Sequence, residues 1–275
     1  MASLVTRSLR LESGIEIPRV GLGVFQSAHG EETRTAVGEA LRLGYRHIDT
    51  ARIYGNEQDV GAAVRKSGLP RAELFVTTKL WNDDQGYDET LHAFAASLKR
   101  LDLEYIDLYL LHWPVRRKRL ESWRALEQLL ADGRVRAIGV SNFMVRHLEE
   151  LLAHAKVAPA VNQIEVSPFL QQREVRAFCE KHGIAVEAYS PLTKGKRLGH
   201  AVVKDVAERL PRSPAQVLLR WGLQHGLVVL PKSTRAERIA ENAALFDFEL
   251  SSQDMAKLDA LEEGLVTGWD PRHAP

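Results

Sequence analysis

Tyr105-Ile106-Asp107-Leu108-Tyr109-Leu110-Leu111-His112 is a nearly continuous apolar run that ends on a titratable side chain. A short run of this kind, without strict polar alternation, reads as a strand buried on both faces. Two other runs share its form: Tyr45-Arg46-His47-Ile48-Asp49 and Leu74-Phe75-Val76-Thr77-Thr78-Lys79. Asp49, Lys79 and His112 therefore stand at C-terminal strand ends, with Tyr54 shortly after Asp49. In an α/β barrel that end of the strands is the catalytic face.

Working outward, further strand-like runs cover residues 20–25, 46–49, 74–80, 105–111, 135–140, 160–164, 184–188 and 227–230. Amphipathic helices are expected between them. Leu91, Phe94, Ala95, Leu98 and Leu101 form one apolar stripe, and Leu120, Trp123, Leu126 and Leu130 form another, interrupted by Glu127. Strands alternating with helices in this number imply an α/β fold of the (β/α)8 TIM-barrel type. Residues 8–17 alternate around Ser13-Gly14 and read as an N-terminal β-hairpin. No Pro/Gly/Ser-rich linker interrupts the pattern, so residues 1–275 are expected to form a single domain. The C-terminal tail, about 264–275, lacks periodicity and should either lie over the barrel mouth or fray.

The chain has 275 residues, a formal net charge of +1, 45% hydrophobic and 27% charged residues. That balance gives no electrostatic case for nucleic acid or an anionic membrane. No stretch reaches the roughly 20 apolar residues a membrane-spanning helix needs, and the N-terminus lacks a signal-peptide core. A cytoplasmic location and a monomer are the default expectations. Cys179 is the sole cysteine, which excludes an intrachain disulfide framework; its helical context reads as a buried structural thiol. No metal site is expected.

The residue types at the strand ends suit delivery of a proton to a carbonyl oxygen. A phenol is a weak acid, a nearby ammonium favours its anion, and a carboxylate can hold the ammonium. An imidazole can orient the substrate oxygen. Each residue taken alone has a bland alternative: Asp49 as a helix cap, Tyr54 on the surface, His112 packed beside Trp113-Pro114. Lys79 could also be a Schiff-base lysine, as in barrel aldolases. Gly21-Leu22-Gly23 is not a dinucleotide fingerprint, because Gln26 stands where the third glycine belongs. These glycines instead read as sites of close backbone packing. After the last strand, Lys232-Ser233-Thr234-Arg235 precede a helix, a good setting for a phosphate.

Asp49-Thr50-Ala51-Arg52-Ile53-Tyr54-Gly55-Asn56-Glu57 resembles the active-site segment of the aldo-keto reductases. So do Thr78-Lys79-Leu80-Trp81, Leu111-His112-Trp113-Pro114, Gly139-Val140-Ser141-Asn142-Phe143 and Leu230-Pro231-Lys232-Ser233. The resemblance extends from about Leu9 to about Leu261 and is strongest to short prokaryotic-type members that reduce small dicarbonyls and aldehydes. It implies an NADP-dependent carbonyl reductase. Tyr54 would be the general acid, Lys79 would lower its pKa, Asp49 would pair with Lys79, and His112 would orient the carbonyl.

The same resemblance implies NADPH (NADP+) as cofactor. Lys232, Ser233, Thr234 and Arg238 would hold the adenosine 2′-phosphate, with Glu241 and Asn242 at the adenine. Ser141, Asn142 and Gln163 would contact the nicotinamide carboxamide. Tyr189 would stack on its ring, and Ser190 and Leu192 would begin the loop near the pyrophosphate. Lys194, Lys196 and Arg197 could add charge there; Arg116-Arg117-Lys118-Arg119 reads as a solvated basic run. Phe25, Trp81, His112 and Trp113, with Trp269 from the tail, are expected to line the pocket for a small carbonyl substrate. The loop after Tyr189 and the tail are short compared with longer family members, which leaves the substrate open and implies a shallow, tolerant pocket.

Overall fold

The structure, a computed structural model, describes residues 8–275. Strands β1 (Ser8–Arg10) and β2 (Glu16–Pro18) pair antiparallel as the expected hairpin. Eight parallel strands follow: β3 (Leu22–Gly23), β4 (His47–Asp49), β5 (Phe75–Leu80), β6 (Ile106–Leu111), β7 (Val135–Ser141), β8 (Val161–Glu165), β9 (Ala185–Tyr189) and β10 (Val228–Leu230). They are ordered as in sequence, and the ring is closed between first and last. Val20 bridges Val229, and Gly21 and Gly23 donate their N–H groups to the carbonyls of Val229 and Pro231.

Helices α1 (Glu31–Arg42), α2 (Glu57–Lys66), α3 (Tyr87–Leu101), α4 (Arg119–Ala131), α5 (Val145–Leu152) and α6 (Arg173–Lys181) connect successive strands. The last crossover holds two helices, α7 (Ala201–Arg209) and α8 (Pro214–Gln224), and α9 (Ala236–Ala243) and α10 (Ser252–Asp259) follow β10. The start of α8 is written locally. Pro214 takes a first-turn position whose N–H would be unused, and Ser213 and Gln216 exchange side-chain-to-backbone hydrogen bonds as a capping box. None of the helices is long and apolar enough to cross a membrane.

Strand parity decides what faces where. Successive side chains point to opposite faces, so Phe75, Thr77 and Lys79 share one face of β5 while Val76 and Leu80 join the core beneath the helices. Phe75, Leu108, Leu110, Ala137, Val161 and Val228 fill the lower barrel, and Leu11 and Ile17 of the hairpin plug that end. Gly21 is required for closure. A Cβ there would sit 2.7 Å from Leu230 Cδ2 and 2.8 Å from His47 Nδ1, inside van der Waals contact. The close-packing role expected from the sequence is therefore a steric necessity at Gly21. Cys179 is fully buried, and burial pushes its thiol up to about 11, as a structural thiol requires.

Candidate active site

The inward parity of the strands assembles a polar layer at their C-terminal ends. Lys79 is buried, and its ammonium donates to Asp49 Oδ1 (2.7 Å), Asp49 Oδ2 (2.8 Å) and the Thr50 carbonyl (2.9 Å). It also lies 3.4 Å from the Tyr54 hydroxyl oxygen. Tyr54 reaches this point because the chain turns sharply after β4, in a 3-10 turn over Arg52–Tyr54. Gly55 ends the turn at φ 70, a left-handed conformation that glycine adopts without strain. Buried Asn56 then fixes the loop, accepting from the Thr50 hydroxyl and donating to the Val24 carbonyl.

Two opposed influences act on Tyr54 in this group. Burial is the largest influence on Tyr54 and holds its phenol above the ordinary value; the Lys79 charge pulls it down but does not win. The phenol therefore keeps its proton at neutral pH, as a general acid needs. Burial opposes the Lys79 charge, but Asp49 and its neighbours hold the ammonium above its usual value. His112 is held well below its ordinary value by burial and by Lys79, so the imidazole is neutral. Its Nδ1 has no hydrogen-bond partner among the described residues.

A trench of about 980 Å³ opens over these groups. Asp49, Tyr54 and His112 lie in its wall, while Lys79 is reached only through Asp49 and Tyr54. At one end stand Phe25, Trp81, Trp113 and Trp269. Trp269 lies 6.1 Å from Trp81 and 5.8 Å from Trp113 between ring centroids, and it is 67% exposed. The tail thus lies over the barrel mouth. It is held there by Glu165 at the end of β8, which accepts from the Thr267 backbone and hydroxyl and from Gly268 N. Ile53, also in the wall, was not singled out from the sequence; its place between Arg52 and Tyr54 was the available signal.

The other arm of the trench is lined by Ser190, Leu192, Lys232, Ser233, Thr234, Arg238, Glu241 and Asn242. Arg235 also lines it, and its N–H donates to Ser233 Oγ just before α9. Ser141, Asn142, Gln163 and Tyr189 stand between the two arms. Ser141 Oγ donates to the Gln163 carbonyl, Asn142 Nδ2 donates to the His112 carbonyl, and the Tyr189 hydroxyl donates to Asn142 Oδ1. Asn142 does this from a left-handed backbone, φ 63, which asparagine tolerates better than most residues. A trench lined by a basic helix start and by the side-chain amides of Asn142 and Gln163 fits a phosphorylated dinucleotide.

Of the basic loop residues, Lys194 lines the trench, whereas Lys196 and Arg197 do not. Arg197 instead pairs with Glu263 at 2.7 Å. The solvated reading of residues 116–119 is corrected at Arg119. That residue is buried at the start of α4, where it pairs with Glu150 and donates to the Pro114 carbonyl. A second cavity, of about 570 Å³, lies at the opposite end among Glu12, Ser13, Arg136 and Lys181, remote from the strand-end residues. Among the described residues no cluster of three or more His, Cys, Asp or Glu is arranged to hold a metal ion.

Comparison with known proteins agrees with this geometry. Residues 19–263 match the model of the Aldo/keto reductase family. The chain is 52% identical over 271 residues to a glyoxal reductase of Bacillus subtilis (strain 168), covering 98% of each protein. It is 50% identical over 264 residues to a 9,11-endoperoxide prostaglandin H2 reductase of Trypanosoma cruzi, covering 95% of this chain and 93% of that protein. Among solved structures, a variant of Gox0644 in complex with NADPH superposes with a TM-score of 0.93 at 43% identity, covering 98% of this chain and 99% of that one.

Proposed function

The chain belongs to the aldo/keto reductase family, and from that premise we propose that it reduces aldehydes, ketoaldehydes or diketones to alcohols with NADPH as the hydride donor. The observation that carries this reading is the contact of Tyr54 with a lysine that is itself paired to a carboxylate. As the carbonyl carbon is reduced, its oxygen gains alkoxide character and needs a placed proton donor. Tyr54 gives that proton. Lys79 stabilises the phenolate left behind, and Asp49 keeps Lys79 charged and fixed. Neutral His112 orients the carbonyl oxygen toward Tyr54 without competing as an acid. Lys232, Ser233, Thr234 and Arg238 would hold the 2′-phosphate, Glu241 and Asn242 the adenine, and Ser190 and Leu192 the pyrophosphate side. Ser141, Asn142, Gln163 and Tyr189 would hold the nicotinamide end.

The Schiff-base alternative is disfavoured by the same lysine. Such chemistry needs a neutral amine, whereas the Lys79 ammonium is saturated by Asp49 and the Thr50 carbonyl. The test is loss of the reduced-nicotinamide absorbance with methylglyoxal, phenylglyoxal, 4-nitrobenzaldehyde and a diketo sugar acid, with NADH in parallel. Turnover with NADPH is expected. Tight NADPH binding without turnover on any carbonyl would overturn the reading.

A further inference from the structure

Below the candidate acid–base group lies a buried carboxyl that the reaction as described does not use. Glu187, on β9, is fully buried and sits directly opposite Gln163 of β8 in the strand register. Its Oε2 accepts from Gln163 Nε2 at 2.8 Å. The same nitrogen also donates to Asp49 Oδ2 at 2.8 Å. A side-chain amide nitrogen has only two N–H groups, so both are consumed within the barrel. Gln163 Oε1 accepts no hydrogen bond from the described residues, and Gln163 lines the trench. Inverting the amide would set its oxygen against Asp49 Oδ2, the acceptor that is paired with the Lys79 ammonium.

We propose that Glu187 is a positioning residue for the nicotinamide carboxamide: by fixing the Gln163 amide it presents Gln163 Oε1 as a hydrogen-bond acceptor for the carboxamide N–H. The inference rests on the proposed contact between Gln163 and the cofactor. It accounts for a feature that is otherwise costly. Asp49 and Glu187 share one nitrogen, and two anions this close repel. Burial, and secondarily Asp49, push the Glu187 carboxyl up to about 8, so it is neutral at neutral pH and leaves Asp49 as the charged partner of Lys79. The second oxygen, Oε1, lacks a hydrogen-bond partner and lies 3.6 Å from His47 Nε2. His47 is itself kept neutral, pushed down to about 4 chiefly by burial.

The experiment compares dissociation constants for NADP+ and its 3-acetylpyridine analogue, which has a methyl ketone in place of the carboxamide and so lacks the N–H donor. Binding is read by tryptophan fluorescence. Wild type should prefer NADP+ by roughly tenfold, the worth of one hydrogen bond. Glu187→Met, similar in length but without an acceptor, should lose most of that preference. Glu187→Gln, which can still accept from Gln163, should keep it. Gln163→Leu separates the two readings. Preference lost in Gln163→Leu but retained in Glu187→Met would overturn the positioning role and leave the cofactor reading intact. Preference retained in Gln163→Leu would overturn the Gln163 contact and the inference together. If Glu187→Met does not fold, Glu187→Leu, which also lacks an acceptor, takes its place: a folded protein that keeps the preference overturns the proposal.

Discussion

Lys79 Nζ lies 3.4 Å from the Tyr54 hydroxyl oxygen, a contact too long for a strong hydrogen bond but short enough to stabilise a developing phenolate. In the proposed reaction the proton is held on the phenol in the resting protein and would be released at low cost as the carbonyl is reduced. Tyr54→Phe should lower kcat by roughly 10²–10⁴-fold, the usual worth of a placed general acid, with little change in the NADPH dissociation constant. Single-turnover kinetics together with a binding titration check this. Undiminished turnover in Tyr54→Phe would remove Tyr54 from the reaction.

At the far arm of the trench, Lys232 and Arg238 are the basic side chains proposed to hold the 2′-phosphate. Hydrogen bonds to charged groups contribute about 1.5–3 kcal/mol each. Lys232→Ala combined with Arg238→Ala should therefore raise KM for NADPH by roughly 10²-fold or more, while KM for NADH changes little. Steady-state kinetics with both cofactors decide the matter, and equal effects on the two would sink the 2′-phosphate assignment.

The site was legible in the sequence where one strand suffices to specify it. Phe75, Thr77 and Lys79 share a face by parity alone, and Asp49 and His112 follow the same rule. Interactions that join distant strands were not legible. Nothing in residues 161–165 announces that Gln163 will bridge Asp49 and Glu187, because that depends on β8 lying beside β9 and facing β4 across the barrel. Glu165 and Thr267 are far apart in sequence, so the anchoring of the tail was invisible and both outcomes for it stood open. Arg119 was misread because a run of four basic residues looks uniform, whereas helix entry turns only that one inward. For Tyr54 the lowering influence of Lys79 was legible, but the burial that outweighs it was not.

Trp269 stands against Trp81 and Trp113 but is mostly exposed, so its contribution to folding should be small. Trp269→Ala should change stability by no more than about 0.5 kcal/mol, as for most surface substitutions. Its effect belongs to substrates large enough to touch the tail. KM for an aromatic aldehyde such as 4-nitrobenzaldehyde should rise several-fold, by about 1 kcal/mol of lost aromatic contact, while KM for methylglyoxal stays near wild type. A uniform change for both substrates would show that Trp269 shapes the mouth as a whole instead of one wall.

The buried His47 and Glu187 make opposing contributions to stability as pH changes. His47 is depressed to about 4 from 6.5, so between those values the unfolded chain binds more protons and stability rises with pH. Glu187 is raised to about 8 from 4.5, so across that range the folded protein binds more protons and stability falls with pH. From about 4.5 to 6.5 the two slopes oppose each other, and from about 6.5 to 8 only the falling one remains. Glu187→Gln removes the falling component and leaves the burial that depresses His47 in place. Melting temperature plotted against pH should then lose its decline between about 6.5 and 8 and gain a rise below about 6.5. Parallel profiles for wild type and Glu187→Gln would mean that Glu187 is ionised in the folded protein, in which case Asp49 and Glu187 must share their amide donor as two anions.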